Sequence, residues 1–138
     1  MPATNYAIHQ SLDYSFRGTP YSLPSSFYLG VSVASIDSNG LGCVEPMDSS
    51  YVRQEVPRNS ATWSASSTSG GSLCTVYNAK QVQFKKSSAH WGTIKEVFLS
   101  SSASGSEIWF HEALEPGVPI LEETLVTFPI ASIKLARK

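Results

Sequence analysis

Ser88-Ala89-His90-Trp91-Gly92-Thr93-Ile94-Lys95-Glu96-Val97-Phe98-Leu99 is the segment that sets the architecture of this chain. Trp91-Gly92 reads as a corner: an aromatic body to bury, then a residue free to take positive φ. Beyond it Ile94, Val97 and Leu99 interleave with Thr93, Lys95 and Glu96, the pattern of a half-buried strand. Glu45-Pro46 and Tyr51-Val52-Arg53 upstream belong to the same reading. No nucleophile, metal cluster or phosphate loop accompanies the segment. Its content is architectural and points to assembly rather than chemistry.

Working outward, Phe27 to Ala34 is rich in β-branched and aromatic residues and stops at Asp37-Ser38-Asn39-Gly40, a turn signal. Tyr51 to Val56 alternates, and Pro57 makes its end an edge or an exit. Further strands are expected at Cys74 to Tyr77, Val82 to Phe84, Glu107 to Leu114, Thr124 to Phe128 and Ile130 to Leu135. Pro116-Gly117-Val118-Pro119 reads as a hard turn, and Pro129 as a kink or bulge. Ser64 to Ser72 and Ser100 to Ser106 are serine-glycine loops by composition. In front, Asn5 to Phe16 fits a short helix capped by Thr4 or Asn5 and ended by Gly18, Pro20 and Pro24. Many short strands split by Gly, Pro, Ser and Asn imply an all-β fold, an antiparallel β-sandwich or barrel-like (jelly-roll-like) domain. The expected organisation is an N-terminal arm with a short helix over 1–24 and a β-sandwich over 25–138, one globular domain in all.

At 138 residues the chain can bury one real core, and with 15% charged residues and a formal net charge of -1 it lacks the clustered Lys and Arg of a nucleic-acid or anionic-membrane binder. No apolar run approaches the ~20 residues of a membrane helix. Met1-Pro2-Ala3-Thr4-Asn5 lacks the features of a signal peptide, so synthesis and assembly in the cytoplasm are expected. Cys43 and Cys74 read as two small thiols, with a bridged pair left open. His9, His90 and His111 have no ligand spacing, and neighbours on one strand such as His111 and Glu112 point to opposite faces. Glu107, Glu112, Glu115, Glu122 and Glu123 read as a solvated rim, and the serines lack a Gly-x-Ser-x-Gly setting. No catalytic residue, metal ligand or cofactor is expected, and the chain does not read as an enzyme.

Aromatic residues crowd the first 28 positions: Tyr6, Tyr14, Phe16, Tyr21, Phe27 and Tyr28. Either they fill the domain's own sandwich, or the arm docks on a partner subunit, where aromatic anchors give affinity without a large interface. Tyr6, Tyr14, Phe16 and Tyr21 are the candidate anchors. Arg17, Arg53 and Arg58 are the candidate polar contacts, through the bidentate habit of guanidinium with carboxylate.

The order of landmarks resembles a known family. Gly18-Thr19-Pro20-Tyr21, Pro24, Phe27 to Ser32, Gly42, Glu45-Pro46 and Tyr51-Val52-Arg53 lead to Val56. Val82-Gln83-Phe84, His90 to Ile94, Ile108-Trp109-Phe110, Leu114, Pro116, Ile120, Phe128 and Ile133-Lys134-Leu135 follow. Together, from Phe16 to Leu135, they are similar to small tailed-bacteriophage virion proteins. Ser100 to Gly105 stands where the family commonly has an Asp-rich turn with Gly-Gly, and Glu122-Glu123-Thr124 where it has Gly-Asp. The resemblance implies a virion structural protein. One family label implies a capsid cement (decoration) protein on the head exterior, a homotrimer partnered with the major capsid protein and bridging shell subunits. The other implies a tail-fibre or baseplate-associated module contributing to host-surface glycan recognition, with Trp63, Trp91 and Trp109 as candidates for stacking on sugar rings.

Overall fold

The computed structural model describes residues 1–20, 23–68 and 74–137. Helix α1 (Asn5–Arg17) precedes nine strands: β1 (Ser26–Ser32), β2 (Gln54–Pro57), β3 (Ser67–Thr68), β4 (Cys74–Tyr77), β5 (Val82–Gln83), β6 (Gly92–Ser100), β7 (Ile108–Ile120), β8 (Thr127–Phe128) and β9 (Lys134–Arg137). The fold is all-β and antiparallel with one short helix, as the strand pattern implies. A four-stranded sheet runs β2-β1-β6-β7, a three-stranded sheet β3-β4-β9, and β5 pairs with β8.

The apolar alternation of β1 and β6 puts Leu29, Val31, Val97 and Leu99 on one face. There they meet Val82, Phe84, Trp91, Ile120 and Ile133 in the main core. The corner forms as expected: Trp91 is 4% exposed and Gly92 takes φ 86, a backbone state that a side chain would strain. The half-buried reading of β6 fails beyond Lys95, because the opposite face is covered as well. Phe98 is fully buried there with Ile36 and Ile108. Its ring lies flat on Gly30, where an added Cβ would come within 2.3 Å of the Phe98 ring.

The expected turn at Pro116-Gly117-Val118-Pro119 is a correction of a different kind. β7 continues through it to Ile120. Ile94 pairs Val118 and Glu96 pairs Ala113, so Lys95 alone faces residues 114–117. The Pro-Gly chemistry is absorbed as a bulge inside a paired strand rather than a reversal. Toward the C-terminus the strands are shorter and later than the pattern suggests. Within Thr124 to Phe128 only Thr127–Phe128 is a strand, and the last strand begins at Lys134. Ser67–Thr68 of the serine-rich loop pairs with β4. The remainder of that loop, 69–72, lies outside the described residues.

The first four residues carry no strand signal, yet they join the two larger sheets. Pro2 bridges Ala136 and Ala3 bridges Phe110. The Ala136 N–H donates to Met1 O at 3.1 Å and the Thr4 N–H to Trp109 O at 2.8 Å. Residues 1–4 therefore sit between β7 and β9, and the segment read as an arm is body up to Thr4. No helix among the described residues is long and apolar enough to cross a membrane.

Candidate functional site

Helix α1 starts where the sequence predicts. Thr4 Oγ1 accepts from the Ala7 N–H at 3.3 Å while donating to Ile108 O at 2.6 Å, and Gly18 closes the far end. The helix is held by one face. Ala7 is buried, and Tyr6 packs edge-on against Trp109 with ring centroids 5.7 Å apart. The opposite face carries Ile8, Leu12 and Phe16 at spacing i, i+4, i+8, so they line up along one side. Their exposure climbs through 36%, 49% and 83%. Tyr14 is exposed too, and Arg17 makes a 3.8 Å ion pair with Asp13, both largely in solvent. Of the candidate anchors, Tyr6 is therefore used at home, while Tyr14 and Phe16 present surface. Tyr21 lies outside the described residues.

Arg53 and Arg58 have separate fates. The Arg53 side chain is 6% exposed, and its donors are engaged internally. Nε donates to Glu45 Oε1 at 2.8 Å and one terminal nitrogen to Oε2 at 3.1 Å, a bidentate pair. The other terminal nitrogen donates to Ser102 O at 2.9 Å and Gly105 O at 2.8 Å, fixing the 100–106 tip. The guanidinium also lies over the Phe98 ring, 5.0 Å from its centroid. Tyr51 completes the cluster by donating to Glu45 Oε1 at 2.8 Å and accepting from the Val31 N–H at 3.0 Å. Burial pushes its phenol far above the ordinary value. Arg53 is thus an internal staple and not a surface contact. Arg58 is exposed, with Nε donating to Pro24 O at 2.8 Å. Among the described residues it has no carboxylate partner.

Two aromatic clusters mark two ends of the interlayer core. At one, Trp91 meets Tyr51 edge-on at 5.2 Å and Phe84 at 5.9 Å. Its Nε1 donates to Asp48 at 2.8 Å. Asp48 accepts five more bonds, from the N–H and hydroxyl of both Ser50 and Ser88 and from the Ala89 N–H. The hydroxyls of Ser50 and Ser88, with the indole, hold the Asp48 carboxyl far below the usual carboxylate range. At the other end the layers part. A groove of about 830 Å³ opens there, floored by Phe27, Val76, Leu99, Phe110 and Leu135 and walled by Trp63. Arg58, Ser60 and Ser64 stand at its rim.

Of the three tryptophans, Trp91 and Trp109 are buried, and Trp63 borders the groove. The histidines remain apart: His9 is on α1, His90 accepts from the Glu122 N–H at 3.2 Å, and His111 pairs with Glu96 at 2.8 Å. Glu96, expected on the wet side of β6, is instead buried beneath that pair and also accepts from the Ile36 N–H. Cys43 and Cys74 are free thiols, half-buried and exposed. Among the described residues no cluster of three His, Cys, Asp or Glu side chains could hold a metal. Sequence reasoning missed Asp48, Glu96 and the groove. A lone Asp in a loop gives no signal, whereas Trp63 in a polar stretch did hint at the groove.

Comparison with known families finds one that spans nearly the whole chain. The family model described as Podophage GP4 fiber I protein gp80 matches residues 2–136. A search of curated proteins finds no match.

Proposed function

The chain belongs to that podophage fibre protein family, a tailed-phage virion family, and on this premise we propose that it is a fibre component of the tail. The observation that carries the reading is the family match over residues 2–136. The geometry supports a role fulfilled by contact with other proteins. Among the described residues an apolar helix face and an apolar groove are both left uncovered, while the polar clusters that resemble chemistry are engaged internally. We read it as a structural protein and not an enzyme. Its partners on this reading are tail neighbours and further copies of itself, with no nucleic acid or membrane among them. A contribution to host-surface glycan recognition would fall to Trp63 at the groove wall, in competition with a protein occupant of the groove.

The competing reading is a cement protein, a homotrimer on the capsid exterior partnered with the major capsid protein. The exposed face of α1 suits either location, but the family description favours the fibre. Copy number per purified virion, by quantitative mass spectrometry against the major capsid protein, separates them. The fibre reading expects a small number of copies, with antibody label at the tail. Abundance comparable to the shell protein, with label over the head, would replace it with the cement role.

A further inference from the structure

The helix face and the groove that the described residues leave uncovered complement one another. Ile8, Leu12 and Phe16 form an apolar ridge across eight helical rises, about 12 Å long at 1.5 Å per residue. The groove is apolar at its floor, and a cavity of about 150 Å³ already accommodates a benzene-sized body. With about 830 Å³, it has room for the three side chains of the ridge. Charge agrees as well. Among the described residues Arg58 at the rim has no carboxylate partner, and the Asp13 side chain, beside the ridge, holds only the long contact to Arg17. An exposed pair of that kind is worth little and is readily exchanged.

We propose that the Ile8–Leu12–Phe16 ridge of one copy seats in the Trp63 groove of the next, with Asp13 turned to Arg58. Ridge and groove are different surfaces of one chain, so the contact is heterologous. It joins copies head to tail into a closed ring or an open row. A sugar suits this floor poorly, because hydroxyl groups set against Val76, Leu99 and Leu135 would lose water without gaining partners. The inference deepens the proposed function by naming the partner as a second copy, and it rests on that reading for the crowding that brings copies together.

Self-association of the full chain, followed by sedimentation across a concentration series, tests the joint. Phe16→Asp alters a side chain in solvent, and Ser60→Trp obstructs the rim from an exposed position. Each is expected to weaken association about thirtyfold, the effect of losing one hot-spot side chain. Arg58→Glu tests the groove without changing its shape and is expected to weaken association as well. Mixed in equal amounts, Phe16→Asp and Ser60→Trp should form a dimer, since one retains the groove and the other the ridge. Loss with Phe16→Asp but not with either groove variant would overturn the joint in favour of helix-to-helix pairing. A wild-type chain that stays monomeric throughout would also overturn it. So would quenching of Trp63 by host polysaccharide that persists unchanged when the ridge is supplied in excess. Virion location decides the fibre reading separately: head-located protein that passes the mixing test keeps the joint and loses the tail.

Discussion

The Trp91 end and the Trp63 end of the same core differ in how they are finished. Around Trp91, Tyr51 and Phe84 pack edge-on against the buried indole, and its one polar atom has a partner in Asp48. Around Trp63 the layers separate, and the indole borders a space that no other part of the described chain fills. The lesson concerns what a buried tryptophan requires. Its area stabilises a core only when neighbours close over it and its N–H finds an acceptor. The Trp91 end meets both conditions by itself. The Trp63 end leaves the closing of its opening to something else.

The largest way to sharpen the contrast is Trp91→Ala. With the indole closed in and 4% exposed, its loss should cost about 3–5 kcal/mol, read as a fall in denaturant midpoint at unchanged slope. A loss below about 1 kcal/mol would mean that the cluster is not a sealed core. Next is Gly30→Ala, which tests whether the outer face is equally closed. The methyl would collide with Phe98, and the fully buried ring, with the Arg53 guanidinium over it, has little room to yield. Overpacking of this kind costs about 1–3 kcal/mol. Phe98→Leu in the same chain should recover part of the loss, and an absence of recovery would place the strain elsewhere.

Asp48→Asn should have a smaller effect, recognisable by its pH dependence. The carboxyl is depressed in the folded state from its ordinary value of 3.8, so its stabilisation is present above that pH and is lost as pH falls below it. The variant should melt below wild type at neutral pH, and the gap should narrow as the buffer is taken from about pH 5 to about pH 3. A gap of constant size would show that the Asp48 bonds act without their charge.

The same contrast explains what the sequence made legible. The Trp91-Gly92 corner, the β1 and β6 cores and the Thr4 cap follow from local chemistry: positive φ, alternation and a hydroxyl before a helix. Features set by the meeting of distant segments left no local trace. Asp48 binds residues some forty positions away, Glu96 is buried by its pairing with His111, and Met1–Thr4 becomes part of the sheet only because β7 and β9 leave a gap. Arg53 shows the same limit from the other side. Its residue type suggested a surface contact, but Glu45 and the carbonyls of Ser102 and Gly105 draw it inside. The resemblance to virion proteins reached the family, since it depended on the order of landmarks and not on their three-dimensional neighbours.

Trp63→Ala carries the smallest expected effect on stability and bears most directly on the contrast. Trp63 is partly buried against the core and borders the groove, so truncation removes part of its burial beside an existing opening. The expected cost is about 1 kcal/mol or less, well under the range for a sealed aromatic. If the groove is completed by a neighbouring copy, the same substitution should weaken self-association strongly while the isolated chain melts almost as before. Stability and assembly then separate at Trp63, whereas at Trp91 they must fall together. A Trp63→Ala chain that lost as much stability as Trp91→Ala would erase the distinction, because the groove would then be core and its opening would hold no place for a partner.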